Sequence, residues 1–598
     1  MPLDRRTFLG TTAATGAGVA LTGAAAAPAA ARREPGPPRY EFTVLGTTDL
    51  HGNVFNWDYF TDAEFTDAGG NDIGLAKIST LVNEIRAERG RRNTLLIDAG
   101  DTIQGTQLAY YYAKIDPITG TGEGPVHPMA QAMNAIGYDA AALGNHEFNY
   151  GIPLLRAFQS QCDFPLLAAN ALHADTERPA FPPYWLTRLR PPRGRDVTVA
   201  VLGLTNPGIA VWDRAHVEGR MIFPSLEAQA AHYVPRLRAM GADVVIVSAH
   251  SGTSGTSSYG DQIPHIENAA ALVAEQVPGI DAILVGHAHT EIPERRVKNA
   301  ETGREVVLSE PLFWGKRLTL FDFELVWDRG GWQVESVTAE VRNTNTVAED
   351  PRITRLVGEQ HARVVAYVNQ VIGTATEAMA ATEAPYKDTA VIDFINHVQT
   401  ETVTAALAGS EYAGTPVLSQ AACFSRTAAI PAGEVTIRDV AGLYTFENTL
   451  EARLITGAQL KDYLEYSARY FTQTPAGAPV DPAALTNAGG IPDYNYDAVS
   501  GVAYDIDIAR PAGSRVTGLR HADGRPVGEA EEFVLAVNNY RAGGGGNFPH
   551  IAGAERLWSN SDEIRNTIIA WVRANGAIDP AAFASADWRL TRNGEPVF

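Results

Sequence analysis

Gly144-Asn145-His146-Glu147-Phe148-Asn149-Tyr150-Gly151 follows directly on the apolar run Ala140 to Leu143. A short apolar run that stops at a glycine and gives way to polar residues reads as a buried strand ending in a loop. The same arrangement recurs on both sides of it. Val44-Leu45 leads to Asp49 and His51, Leu96-Ile97 to Asp101, Val247 to His250, and Val285 to His287 and His289. Between the first two runs, Leu75, Ile78, Leu81, Val82 and Ile85 trace an apolar helix face opposite Glu84, Arg86, Glu88 and Arg89. Strands alternating with helices from Glu41 to about Val341 predict an α/β domain, whose strand-end loops converge on one crevice.

Those loops carry five of the 14 histidines. Taken singly, each motif has an ordinary reading: Asp49 as a turn cap, Asn145 as a helix cap, or one of His287 and His289 turned to solvent. Taken together, Asp, Asn and His form a mixed hard and borderline donor set suited to Mn, Zn, Fe or a similar divalent ion. The donors outnumber those of one tetrahedral site, which points to two metal ions sharing a carboxylate. Such a pair, about 3.5–4 Å apart, clamps phosphate oxygens in an in-line displacement.

The composition sets the limits of this reading. A chain of 598 residues predicts at least two domains. A net charge of −21 excludes an unaided electrostatic grip on polymeric nucleic acid, so a phosphate-bearing ligand needs a local positive centre. Asp4-Arg5-Arg6-Thr7-Phe8-Leu9, a weakly apolar stretch and Ala27 to Ala31 have the layout of a twin-arginine-type signal over residues 1–31. The apolar run from Phe8 to Leu21 is short and broken by glycine and threonine, so cleavage is expected rather than a stable membrane span. The expected destination is outside the cytoplasm, as a secreted, periplasmic or wall-associated protein, and a monomer is expected. Cys162 and Cys423 are read as two separate buried thiols rather than a disulfide framework.

Ala348-Glu349-Asp350-Pro351 opens a predicted linker helix running through Val364 to Val371. The expected division is a first domain over 40–345, a linker over 346–371 and a second domain over 372–598. The second domain has helical patterns at Ala390–Leu407 and Gly457–Arg469, and strand patterns at Val502–Ile508 and Phe533–Val537.

The blocks Asp49-Leu50-His51, Gly100-Asp101, Gly144-Asn145-His146-Glu147, Ala249-His250 and Gly286-His287-Ala288-His289 resemble those of calcineurin-like metallophosphoesterases. The longer stretches from Gly144 to Gly151, from Gly279 to His289 and from Asn538 to Ala542 resemble the 5′-nucleotidase superfamily. Within it they are most similar to the bacterial 2′,3′-cyclic-nucleotide 2′-phosphodiesterase/3′-nucleotidases. The resemblance covers about Glu41 to Phe548. It implies a metallophosphoesterase domain of β-sheets flanked by helices, followed by an α/β substrate domain.

It also implies one metal on Asp49, His51, Asp101 and His289, and a second on Asp101, Asn145, His250 and His287. His146 would face the phosphate as a catalytic residue, beside Asn145. Phe446 and Tyr540 match the two rings that sandwich the base, and their ordinary readings are a half-buried strand aromatic and a core residue ending a strand. The glycine run after Tyr540 reads either as a close approach to ligand or as a mobile turn.

Three departures from the 5′-nucleotidase pattern stand out. His289 replaces a common glutamine, and Asn149 replaces an aspartate that orients the histidine, so Asn149 brings no negative charge to His146. The stretch Ala421-Ala422-Cys423-Phe424-Ser425-Arg426 lacks an Asn-Gly-Gly-Gly-Ile-Arg-like motif. These favour a cyclic-nucleotide substrate over a 5′-nucleotidase or nucleotide-sugar hydrolase; the other alternative, a non-catalytic surface binding protein, would be marked by loss of a ligand residue, and none is missing.

Overall fold

A computed structural model describes residues 37–598 except 121, 261 and 447. The expected signal over 1–31 lies outside the described residues. The first half is built on two six-stranded sheets. In one, β1 (Arg39–Thr47), β2 (Thr94–Asp98) and β3 (Ala140–Ala142) run parallel. In the other, β4 (Val197–Leu204), β5 (Val244–Ala249) and β6 (Ala282–Val285) run parallel. Antiparallel strands flank both sets.

The side-chain alternation of a strand explains why these runs are continuously apolar, since both faces of each sheet are covered. Phe42 and Val44 of β1 pack with Val244 and Ile246 of β5 between the sheets. Leu45 faces the other way, onto Leu75, Ile78, Leu81 and Val82 of α1 (Leu75–Arg89). Val245 and Val247 of β5 likewise face Leu226, Ala230 and Val273 on the far side of the second sheet.

Helix α2 (Pro351–Val368) follows. Proline at its first turn and Asp350 at its cap start it: the Asp350 carboxylate accepts from Arg352 N at 2.8 Å and from Ser79 Oγ on α1 at 2.7 Å. The helix stops three residues short of the expected end. Val371 instead opens the strand Val371–Ala375, which pairs with Gly433–Thr436 and suits its β-branched residues.

The second half has its own core, running from Ala375 to Leu590. Its main sheet places β7 (Thr449–Thr456) beside β8 (Glu532–Asn538), with Val417–Ala422, Asp497–Ser500 and Arg556–Glu563 completing five strands. The predicted helix Ala390–Leu407 is present with those bounds. Cys162 and Cys423 are both unpaired, and Cys162 is only half-buried. No helix among the described residues is long and apolar enough to cross a membrane.

Candidate metal centre and adjoining ring pocket

All seven expected metal donors come together at the carboxyl ends of β1, β2, β3, β5 and β6. Asp49, His51 and His289 offer ligand atoms within 4.8 Å of one another, and so do Asp101, His250 and His287. Asp101 stands between the two groups, with Oδ2 2.9 Å from His250 Nε2 and 4.0 Å from His51 Nε2. Asn145 Oδ1 is 3.1 Å from His250 Nε2, and His146 Nε2 is 3.9 Å from Asp101 Oδ2.

The backbone here is strained in a way that sequence patterns do not reveal. Asp49, His51, Asp101, His287 and His289 all have positive φ, between 47° and 76°. Residues with a Cβ rarely adopt this region, and such strain persists only where surrounding contacts impose it. Glu147 supplies much of that constraint. Its buried carboxylate accepts from the backbone N–H of Asp101 at 2.9 Å, Thr102 at 2.5 Å and Gly144 at 2.6 Å, tying the β2 loop to the β3 loop. The loops meet so closely that a Cβ at Gly144 would lie 2.1 Å from Asp101 Oδ1.

Each buried ring is oriented by a bond on its far side. His51 Nδ1 meets the Gln104 carbonyl at 3.0 Å, and His250 Nδ1 meets the Ala99 carbonyl at 2.8 Å. His287 Nε2 meets Glu267 Oε1 at 2.8 Å. A proton held on that nitrogen leaves the other with a lone pair for a cation. Phe313 stacks on His289 at 4.6 Å between centroids, and Trp212 on His287 at 5.6 Å.

The electrostatics fit a cation. Burial raises the Asp49 and Asp101 carboxyls, but the neighbouring imidazoles outweigh it and hold both below the usual range. Burial drives His51 down to about 4. It also disfavours charge on His250, yet Asp101 and Asp49 overcome this and lift it to about 10. Asp49 Oδ1 is buried without a hydrogen-bond partner of good geometry. A buried carboxylate oxygen in that state is costly unless a positive centre meets it. The donor set therefore fits divalent metal.

The rings expected to hold the base lie in the second half, and Glu267, which bonds His287 at 2.8 Å, is close enough to Tyr494 and Tyr540 to act on both phenols. Phe446 is half-buried on a bend ahead of β7, not on a strand, because the chain turns there before pairing begins at Thr449. Tyr540 is half-buried on the short helix Asn539–Ala542, since β8 ends at Asn538, whose side chain caps that helix through Arg541 N at 2.8 Å. The two rings do not touch. Phe446 instead meets the exposed ring of Tyr494 edge-on at 5.7 Å.

The glycine run lies against Tyr540 and against Gln262 of the first half. A Cβ at Gly545 would lie 2.4 Å from the Tyr540 ring, so the run is packed against it. Gln262 from the first half lies beside Gly544, which brings the two halves together at this point. Burial is the main cause of the raised phenols of Tyr494 and Tyr540, and the Glu267 carboxylate contributes to both.

Sequence reading did not single out Glu267, Tyr494, Trp212 or Phe313, and it passed over Asp213. Glu147 was part of a quoted motif, but its role as a clamp was not legible. Asn149 does lack charge, yet its Nδ2 donates to Asp213 Oδ1 at 2.9 Å, so a carboxylate stands one residue further from His146.

A donor set of this kind at the ends of parallel strands, beside a second α/β half carrying exposed rings, defines a two-part metallophosphoesterase architecture. A family model for calcineurin-like phosphoesterase matches residues 42–291, and one for the 5′-nucleotidase C-terminal domain matches 371–553. The 2′,3′-cyclic-nucleotide 2′-phosphodiesterase/3′-nucleotidase of Salmonella typhimurium is 32% identical, over 92% of this chain and 89% of its own. The trifunctional nucleotide phosphoesterase protein YfkN of Bacillus subtilis is also 32% identical over 92% of this chain, which spans 39% of that longer relative. Among solved structures, a putative 5′-nucleotidase from Staphylococcus aureus shares the fold, with a TM-score of 0.71, 24% identity, and coverage of 92% of this chain and 100% of that one. The chain belongs to the calcineurin-like phosphoesterases that carry a 5′-nucleotidase C-terminal domain, a family of metal-dependent hydrolases.

Proposed function

We propose that this protein is an exported phosphoesterase that opens 2′,3′-cyclic nucleotides to 3′-nucleotides and then releases phosphate from them to leave nucleosides. The division into residues 1–31, 40–345, 346–371 and 372–598 as signal, metal-bearing domain, linker and nucleoside-binding domain belongs to the same reading. The observation that carries it is the meeting of two acid–imidazole groups in one crevice, with Glu267 beside His287 also acting on the Tyr494 and Tyr540 rings of the second half.

Asp49, His51, Asp101 and His289 would hold one ion, and Asp101, Asn145, His250 and His287 another. Divalent ions at these donors would supply Lewis-acid polarisation of the phosphoryl oxygens and acidify water. His146, with Nε2 turned to the crevice, would hydrogen-bond the phosphate or protonate the departing oxygen. Asn145 would orient the same phosphate through its amide. Phe446 and Tyr540 would grip the base by stacking, which accepts any base.

The relatives named as cyclic-nucleotide phosphodiesterases, His289 in place of glutamine and the divergent Ala421–Arg426 stretch favour the cyclic substrate. Hydrolysis of 2′,3′-cyclic AMP, 3′-AMP and 5′-AMP by Mn-loaded protein tests the reading. The first two should be turned over and 5′-AMP poorly. A preference for 5′-AMP would replace it with a 5′-nucleotidase, and no turnover of any phosphoester would leave a binding protein.

A further inference from the structure

His146 is held from behind by a two-step chain. Its Nδ1 lies 2.6 Å from Asn149 Oδ1, and Asn149 Nδ2 lies 2.9 Å from Asp213 Oδ1. Burial raises the Asp213 carboxyl to about 7; whether ionised or protonated on its unpartnered Oδ2, it presents Oδ1 as an acceptor, which draws the amide NH2 towards itself and turns the amide carbonyl to His146. That carbonyl can accept only from a protonated Nδ1. The hydrogen bonds therefore have one polarity, and the Nε2 atom is left facing Asp101 and the crevice.

Asp213 is poorly explained as a structural residue. It sits between two one-turn helices, Ile209–Trp212 and Arg214–Val217, at the cap position of the second, yet its side chain makes no capping bond. It is 5% exposed, and its Oδ2 is buried without a hydrogen-bond partner. A half-satisfied buried carboxylate costs stability, and groups that do so concentrate at functional sites.

We propose that Asp213 is a positioning residue that acts through Asn149 to fix the ring orientation and Nδ1–H tautomer of His146. Asparagine at 213 would remove the constraint, because it offers both a donor and an acceptor and lets the Asn149 amide turn either way. The double variant Asn149→Asp/Asp213→Asn puts a pure acceptor directly on Nδ1 and restores it. The inference rests on the reading of His146 as facing phosphate.

Two measurements test it. In protein labelled with 15N-histidine, with the His146 signals assigned by their loss in His146→Gln, His146 should show the Nδ1–H tautomer; an Nε2–H tautomer overturns the proposal. This readout uses no substrate, so it separates failure of the relay from failure of the proposed activity, and it stands even where an Asp213 variant does not fold. In steady-state hydrolysis of 2′,3′-cyclic AMP, Asp213→Asn should lower kcat roughly 10- to 100-fold with KM little changed, the scale seen when an orienting partner of a functional side chain is lost. The double variant should recover most of that loss. Unchanged kcat in Asp213→Asn, or a folded double variant no better than the single one, overturns the proposal.

Discussion

The Nε2 atoms of His51 and His289 lie 3.2 Å apart, although 238 positions separate them in the chain. His51 keeps its proton on Nδ1, against the Gln104 carbonyl, so its Nε2 presents a lone pair. Asp49 Oδ1 is 3.2 Å from the same His289 nitrogen and 3.8 Å from that of His51. Three donors directed at one small space compete for a single positive centre. The second group, around His250 and His287, repeats the pattern, and Asp101 reaches towards both.

This geometry predicts different metal losses for two substitutions. Asp101→Ala should lose both ions, because it deletes the donor between the groups. His289→Ala should retain the ion on the His250 side. Metal content per folded chain, measured by inductively coupled plasma mass spectrometry, distinguishes them, and two ions retained by Asp101→Ala would exclude a shared carboxylate.

Glu147→Ala should weaken both the fold and metal affinity. It strands the buried N–H groups of Asp101, Thr102 and Gly144, each held at 2.5–2.9 Å in the native protein. A buried donor left unsatisfied costs roughly 1–3 kcal/mol. Urea unfolding should show a loss at least of that order, and a metal titration should show weaker binding. An unchanged unfolding midpoint would mean that the loops are held elsewhere.

Phe446→Ala and Tyr540→Ala should raise KM for nucleotides and leave it nearly unchanged for a phosphodiester without a base. A stacked ring is worth roughly 1–3 kcal/mol, which corresponds to about 5- to 150-fold in KM where KM reports binding. Tyr494→Ala should act in the same direction, because that ring leans on Phe446. Equal effects on both substrates would assign the rings to packing.

Acid sensitivity should be traceable in part to His127, which is not among the proposed ligands. It is fully buried, and its Nδ1 accepts the N–H of Met129 to cap the helix Pro128–Ile136. Burial pushes its imidazole from 6.5 down to about 3. Below pH 6.5 the unfolded chain gains a proton there that the folded chain refuses. The stability present above that pH is therefore lost as pH falls towards 3, by up to about 1.4 kcal/mol per pH unit. His127→Asn keeps a capping acceptor and removes the titration, so its unfolding midpoint should fall less steeply than wild type between about pH 6 and pH 4.5. Parallel profiles would assign the acid sensitivity to other groups.

Much of the first half was legible in sequence because its strands are buried on both faces. Val44-Leu45, Leu96-Ile97 and Val244 to Val247 are unbroken apolar runs, and each leads to its donors over a short loop. The residues that meet in the crevice were readable for the same reason: Asp, Asn and His at strand ends have few ordinary roles when they recur five times. The end of α2 was misplaced because Val371 and Ile372 extend an apolar pattern that helix and strand share, and only pairing with Gly433–Thr436 decides between them.

The residues that orient the donors were not legible, because orientation is a property of contacts between distant segments. Nothing in the order of residues joins Glu267 to His287, Asp213 to Asn149, or Tyr494 to Phe446. Nor does a pattern of residue types carry a backbone angle, so the left-handed conformations of Asp49, His51, Asp101, His287 and His289 became visible only in three dimensions. By itself the sequence determined which chemistry this chain can perform, since donor type and strand-end placement are written along the chain. Tertiary structure alone decided which nitrogen of each imidazole faces the crevice and what holds it there, because those choices depend on hydrogen bonds that form only when the two sheets and their loops are packed together.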